Sequence, residues 1–304
     1  MSKTLIGSIM VLIAGIAWGI SGVSGQYLIQ RGISVGALTS LRLLIAGGVL
    51  VAWCLIRYPH RLKQALKTPS FIRRVLLFSI FGLVANQFAY LQAIGHTNAG
   101  TATVLQYLTP VIVVIYTCLK DRIPPALLEI CAIIAAIIGT YLLASHGDIH
   151  NIALNPTGLA WGIISAFTYA AYILIPVSLV KEWGSVMSVG VSMLIGGIIF
   201  SMFSGIWTQH YDIDIPMIIA FIGIIGIGTI IAYTLFIMGT AMIGAVQGSL
   251  LASIEPVASV IFTVLIFHTQ FYLADIIGMI IILMAATVIS LKDVINKIII
   301  HRIK

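Results

Sequence analysis

Charged side chains are scarce in this sequence. Only 8% of its 304 residues are Asp, Glu, Lys or Arg, whereas an ordinary soluble domain carries about 25%. Hydrophobic residues make up 60% of the chain, so a soluble fold would have too little polar surface to present to water. The composition therefore excludes a typical soluble globular protein.

Apolar runs of about twenty residues, the length of helix that crosses a bilayer, recur along the whole chain. They predict an all-α polytopic membrane protein with ten transmembrane helices. The predicted spans lie near residues 5–29, 35–56, 72–94, 99–119, 126–144, 156–180, 186–207, 215–238, 245–267 and 271–291.

Basic residues are unevenly distributed between the two sides of the membrane that these spans cross. With a cytoplasmic N-terminus, all but two of the 16 Lys and Arg residues fall on the inner side. The exceptions are Arg31, in an outer loop, and Arg42, within a helix. Since Lys- and Arg-rich loops stay in the cytoplasm, we predict a cell-membrane protein with both termini inside. This distribution argues against nucleic acid as a partner. The partners that we expect are the lipid bilayer and a small-molecule substrate, and we expect a monomer or a homodimer.

Cysteine is also rare, and Cys54, Cys118 and Cys131 all fall near inner helix ends. An odd number of thiols on the reducing side argues against structural disulfides. The histidine spacings match no metal-ligand motif, and no Walker-type loop is present. We therefore expect no bound metal, no cofactor and no direct use of ATP.

Two segments of the chain resemble each other when aligned on their prolines. AGTATVLQYLTPVIVVIY (99–116) and AVQGSLLASIEPVASVIF (245–262) lie in the fourth and ninth predicted spans. A shift of five spans reverses the direction across the membrane, so we predict two inverted five-helix repeats around a central cavity. The repeats are residues 1–145 and 153–291, followed by a basic cytoplasmic tail, 292–304.

Two charged residues lie within predicted spans, where charge is costly. Arg42 is near enough to the outer end of its helix to extend to the lipid headgroups, so we expect that structural role, a packing role with backbone carbonyls, or substrate binding. Glu255 lies about 15 Å from the inner end of its helix. It must be neutral, paired or in a wet cavity, and we predict that it recognises a cationic group or couples transport to protons. A protonated carboxyl bonded to a neighbouring helix is the structural alternative.

Proline follows Glu255 directly and recurs at the matching position of the other half. Pro110 and Pro256 each remove a helical hydrogen bond at membrane depth, which predicts paired kinks beside a binding site. Other polar and aromatic residues at similar depth could line that site or simply pack between helices. The predicted substrate-binding residues are Glu255, Gln106, Trp18, Asn86, Tyr90, Tyr169, Tyr172, Tyr233 and Arg42.

The motifs LTSLRLLIAG around Arg42, LQYLTPV around Pro110 and SIEPV around Glu255 occur in this order over ten predicted spans. In that respect the chain resembles the EamA family of the drug/metabolite transporter superfamily, over roughly residues 5 to 291. The resemblance implies metabolite transport, most often export of amino acids or related compounds, through a cavity between the two halves.

We therefore expect a secondary transporter that exports amino acids or similar small polar metabolites by alternating access, with proton coupling as an option. A nucleotide-sugar or lipid-linked carrier of the same superfamily is the alternative, although it would need more cations to bind phosphate. An intramembrane enzyme is disfavoured, because it would need a nucleophile, metal ligands or paired acids at membrane depth.

Overall fold

The computed structural model describes residues 3–148, 153–208 and 210–303, with the side chains of all of these except 245–246 and 292–303. Regular structure within those ranges is entirely helical. Nine helices are long and apolar enough to cross a membrane in the described part of the chain. The protein is therefore an all-helical membrane protein with several spans.

The eleven helical segments are numbered here in chain order. They are α1 (Lys3–Gln30), α2 (Val35–Arg57), α3 (Pro59–Lys67), α4 (Pro69–His96), α5 (Ala99–Asp121), α6 (Leu127–Ser145), α7 (Pro156–Trp183), α8 (Ser185–Ser201), α9 (Ile215–Ile243), α10 (Ala245–Phe267) and α11 (Leu273–Ile303).

The helices follow the predicted spans with three differences. The predicted span 186–207 corresponds to α8, which has only 17 residues and is shorter than the roughly 20 that usually cross a bilayer. The count of ten spans therefore stays a prediction. The basic connection between the second and third spans contains the short amphipathic helix α3. Residues 292–303 of the predicted tail continue α11 as helix, and Lys304 lies outside the described residues.

Three of the helices are broken at or just before a proline. In α7 the break is at Ile175 and Pro176, between the helical parts Pro156–Leu174 and Val177–Trp183. The helical part Ala99–Gln106 of α5 ends before Thr109–Asp121 begins, and Ala245–Ala252 of α10 ends before Ile254–Phe267 begins. Pro110 and Pro256 lie in the first turn of each second part, where the missing proline N–H costs least. The two breaks divide α5 and α10 at corresponding places.

Four helices of residues 3–148 pack mainly against one helix of residues 153–303: α1 against α9, α2 against α8, α4 against α7, and α6 against α11. The fifth long helix, α5, divides its contacts between α7 and α10. Glycines allow close approach in several pairs: Gly47 of α2 lies against Leu194, while Gly197 of α8 lies against Leu44. These two contacts show that α2 and α8 run antiparallel.

Each of α4 and α9 contains a stretch of π-helix near its middle. The stretches are Phe78–Val84 and Ile222–Ile231. A π segment widens the helix by one residue per turn and is frequent near functional sites. Phe78 in the first stretch contacts Tyr172, and Thr229 in the second contacts Arg42; both partners line the cavity described next.

Candidate functional site

A cavity of about 370 Å³ lies between the helices. Its walls come from α1, α2, α4, α5, α7, α9, α10 and α11. All of the residues predicted to bind substrate line it, although they are spread from position 18 to position 255: Trp18, Arg42, Asn86, Tyr90, Gln106, Tyr169, Tyr172, Tyr233 and Glu255. The fold therefore gathers these candidates around one space, which is large enough for a small molecule.

Glu255 lies in the first turn after the break in α10. The hydroxyl of Tyr107, at the break in α5, is 3.4 Å from Glu255 Oε2 and 3.3 Å from the carbonyl oxygen of Ala252. Both contacts are long for an O–H···O hydrogen bond, and one hydroxyl proton serves two acceptors. The carboxylate thus keeps acceptor capacity toward the cavity.

Each of the two backbone carbonyl groups that a proline leaves without a helical N–H donor has a side-chain donor instead. Pro256 deprives the carbonyl of Ala252 of its helical partner, and Tyr107 contacts that oxygen from the neighbouring helix. Pro110 does the same to Gln106, whose carbonyl accepts a 2.6 Å hydrogen bond from Thr109 Oγ1. The breaks are therefore satisfied by polar side chains, as backbone at membrane depth requires.

Arg42 is far from Glu255 in the sequence but lines the same cavity. Its side chain is only 5% exposed, and Nε donates a 3.0 Å hydrogen bond to Thr229 Oγ1. Thr229 in turn donates to the carbonyl of Ile224 within the π segment of α9. Extension of Arg42 to the headgroups, one of the expected roles, is wrong because this side chain is buried toward the cavity.

The two charges of the cavity are not paired with each other. Among the ion pairs of the described residues, none joins Arg42 to Glu255. A buried ion pair would cancel both charges internally, whereas two separated charges leave each one available to a ligand. They are the sole basic and the sole acidic side chain among the described residues that line the cavity.

Aromatic rings form much of the remaining wall. The hydroxyls of Tyr172 and Tyr233 are 2.6 Å apart, and the ring of Tyr169 stacks on Tyr172 with centroids 5.6 Å apart. Trp18 meets Tyr233 edge to face at 5.7 Å and Phe236 at 5.2 Å. Such a wall offers π faces to a cation and apolar area to a side chain.

Amide and hydroxyl groups complete the lining. Gln106 Nε2 donates to Asn86 Oδ1 at 3.1 Å. The hydroxyl of Tyr90 is 2.8 Å from Thr103 Oγ1, which also contacts Ser259 on α10. These bonds hold α4, α5 and α10 together around the cavity.

Sequence reasoning missed part of the lining. Tyr107, Phe236, Ser249 and Ser253 all face the cavity. Tyr107 carried a usable signal, because it lies three residues before Pro110, in the turn where the proline leaves carbonyls without donors. The other three had no local signal that distinguishes them from packing residues.

A glycine stripe on α1 brings Trp18 to the cavity. Cβ atoms built at Gly15, Gly19 and Gly22 would collide with α10 or with Tyr90. At Gly19 the collision involves Ala258 Cβ at 2.8 Å and the backbone nitrogen of Ser259 at 2.9 Å. Small residues of this kind let membrane helices approach closely, so the stripe has a packing role.

Potential metal ligands are dispersed. No group of three His, Cys, Asp or Glu side chains in the described ranges could hold a metal ion, and Cys54, Cys118 and Cys131 are free thiols.

Comparison with known proteins identifies the family. The profile of the EamA-like transporter family matches residues 5–145 and, a second time, residues 156–291. The chain belongs to the EamA-like transporter family. Its members are membrane transporters, which agrees with the resemblance drawn from the motifs around Arg42, Pro110 and Glu255.

Individual relatives of this EamA-like chain agree with that assignment. It is 36% identical over 294 residues to the "Uncharacterized inner membrane transporter YicL" of Salmonella typhimurium, covering 96% of this chain and 98% of the relative. It is 19% identical over 280 residues to the "Uncharacterized transporter YcbK" of Bacillus subtilis, covering 90% and 88%. One solved crystal structure shares the fold over 95% of this chain and 96% of its own, with a TM-score of 0.57 and 18% identity.

Proposed function

We propose that this protein is a secondary transporter that exports amino acids or similar small polar metabolites, with the cavity between Arg42 and Glu255 as its substrate site. The observation that carries the proposal is the separation of these two opposite charges within one partly enclosed cavity. A substrate with an ammonium and a carboxylate group would complement both charges at once.

Each wall of the cavity suits one part of such a substrate. The Glu255 carboxylate and the tyrosine and tryptophan rings attract an ammonium group. The Arg42 guanidinium has donors left for a carboxylate, since only its Nε is bonded to Thr229 and a guanidinium carries five N–H donors. The amides of Asn86 and Gln106 can orient the remaining polar groups.

Alternating access is supported by the way the helices pair. If residues 1–145 and 153–291 are inverted repeats, α2 and α8 are equivalent, and equivalent helices must run in opposite directions. The contacts of Gly47 and Gly197 have that direction. The broken helices α5 and α10 and the π segments of α4 and α9 also occupy matching places. Two inverted halves can expose one shared site to alternate sides of the membrane.

The energy source in this proposal is the proton gradient or the substrate's own gradient. Glu255 is the candidate for proton coupling, because a carboxyl that can lose its proton while facing a cavity can exchange that proton for a substrate cation. The topology in the proposal has both termini in the cytoplasm, as the distribution of Lys and Arg favours.

Other functions fit the cavity less well. A nucleotide-sugar or lipid-linked phosphate needs several cations, and Arg42 is the one basic lining residue in the described structure. An enzyme would need a second acid, a thiol or a histidine beside Glu255, and none of these is among the lining residues that are described. The named relatives are transporters.

Growth and flux measurements test the proposal together. Overexpression should protect cells against toxic amino acids or analogues, and deletion should sensitise them, because export lowers the internal concentration. Purified protein in proteoliposomes should then move the protective compound. Absence of flux for every amino acid and analogue tested would reject the substrate class. Flux unchanged after both the pH gradient and the membrane potential are dissipated would reject proton coupling alone.

A further inference from the structure

The connection between α2 and α4 forms a basic amphipathic helix at one end of the molecule. Residues 57–74 contain several Lys and Arg residues and no acidic residue. Within α3, Leu62 and Ala65 are buried against the protein, whereas Arg61, Lys63 and Lys67 are exposed. A short helix of this kind beside membrane spans lies at the level of the lipid headgroups.

A second cavity, of about 700 Å³, lies between α3 and the end of α7. It is lined by His60, Arg61, Gln64, Thr68, Glu182 and Trp183. The acid among these residues is already bound, because Arg74 Nη1 donates to Glu182 Oε2 at 2.9 Å. Arg61 Nη2 donates to the carbonyl oxygen of Glu182 at 2.9 Å, which leaves its charge uncompensated. The cavity therefore has a positive surplus.

Trp183 provides a donor without an acceptor. Its side chain packs edge to face on Phe71, with ring centroids 5.3 Å apart, and is 9% exposed. The indole Nε1 is buried and has no hydrogen-bond partner among the described residues. Buried donors are nearly always paired because an unpaired one costs free energy. An oxygen acceptor from a ligand in this cavity would pair it.

We propose that this cavity binds the phosphate group of an anionic phospholipid from the surrounding bilayer. The phosphate oxygens accept from the Arg61 guanidinium, the Gln64 amide and the Trp183 indole, and the basic residues of α3 attract the negative headgroup. The exposed apolar side chains of Ile56, at the end of α2, and Leu66, on α3, provide a surface for the acyl chains. A bilayer presents this ligand at high local concentration, and basic segments beside membrane spans are attracted to anionic lipid.

The test is a lipid titration of the full-length protein in a nonionic detergent. Bound lipid is counted by native mass spectrometry, and thermal unfolding is followed in parallel. Phosphatidylglycerol should bind and raise the unfolding temperature, whereas phosphatidylcholine should do so far less. Glycerol 3-phosphate and inorganic phosphate should have little effect because they lack the acyl chains. Equal stabilisation by inorganic phosphate would overturn the proposal in favour of a free-anion site.

Variants of the residues that line this cavity test whether the phospholipid binds there. Arg61→Gln removes one positive charge and Gln64→Glu adds one negative charge, and each should weaken phosphatidylglycerol binding about fivefold. Trp183→Phe replaces the indole with a smaller aromatic ring and removes the N–H, and it should also reduce binding. Gln270→Glu makes the same substitution at an exposed position of the opposite end and should leave binding unchanged.

The combined outcomes decide the proposal. Unchanged phosphatidylglycerol binding in Arg61→Gln and Gln64→Glu would overturn it, as would an equal loss in Gln270→Glu. If Arg61→Gln unfolds because its bond to Glu182 is lost, Gln64→Glu carries the test, since Gln64 is exposed. All of these readouts are independent of transport.

Discussion

The hydroxyl of Tyr107 lies 3.3 Å from the carbonyl oxygen of Ala252, the carbonyl that Pro256 deprives of its helical partner. The same hydroxyl lies 3.4 Å from Oε2 of Glu255. One side chain of α5 therefore contacts both the backbone break and the acid of α10. Changes at Tyr107 should affect helix packing and the state of the carboxyl together.

Replacement of Tyr107 by Phe should lower both stability and transport. The variant keeps the ring but removes the donor, which leaves the Ala252 carbonyl without its side-chain partner and should cost about 1–3 kcal/mol. Thermal unfolding in detergent and flux in proteoliposomes measure the two effects. Tyr116→Phe is the matched control, since Tyr116 lies on the same helix and is 49% exposed. Wild-type behaviour of Tyr107→Phe would show that the hydroxyl is dispensable.

Replacement of Glu255 by Gln should abolish net transport, or reduce it at least tenfold, at every pH tested. Gln has nearly the same shape but carries no charge and cannot exchange a proton. Flux is measured in proteoliposomes over a range of pH, after confirming that the variant reaches the membrane. Asp121→Asn, which neutralises an exposed acid on α5, should transport normally. Normal, pH-independent transport by Glu255→Gln would exclude an essential charge.

Variants of Arg42 and Thr229 distinguish a role in substrate binding from a role in packing. Arg42→Gln removes the cavity's positive charge and should raise the substrate concentration for half-maximal flux more than tenfold, about 1.4 kcal/mol. Thr229→Val keeps the charge of Arg42 but removes the hydrogen bonds of the Thr229 hydroxyl to Arg42 and to the Ile224 carbonyl, so it should affect mainly stability. Concentration-dependent flux of both variants is the measurement. Equal losses in the two would indicate that Arg42 acts through its bond to Thr229.

Alanine substitution at Gly19 tests the close contact between α1 and α10, and the same substitution at Gly48 is its control. A Cβ at Gly19 would lie 2.9 Å from the backbone nitrogen of Ser259, so Gly19→Ala should destabilise the protein by about 1–3 kcal/mol. Gly48, also helical, has nothing within 4 Å of an added Cβ, so Gly48→Ala should be neutral or slightly stabilising. Thermal unfolding of the two variants in one detergent compares them. Similar unfolding temperatures would contradict the packing role of Gly19.

A cross-link at a contact between the two halves tests alternating access. Arg31, after α1, forms an ion pair with Asp214, which caps α9. In a background without native cysteines, Arg31→Cys and Asp214→Cys joined by a short cleavable cross-linker should block transport, because the halves could no longer separate at this end. Cleavage of the linker should restore flux. The uncross-linked double variant is the control, and full flux in the cross-linked protein would argue against opening at this end.

The sequence by itself determined the membrane class, most helix boundaries and the helix breaks. These are local properties: the length of an apolar run, or a proline without an N–H, acts on its own segment whatever packs beside it. The same reasoning selected Arg42 and Glu255, because a charge within an apolar run is costly unless the fold provides for it.

Only the tertiary structure decided how these residues relate to one another. The sequence left open whether Arg42 extends to the headgroups, and the packing of α2 against α9 excluded that by burying its side chain against Thr229. Tyr107 acquired its significance only when α5 and α10 were brought together at their breaks. Contacts between helices far apart in the chain depend on the shapes of both surfaces, and no single segment encodes them.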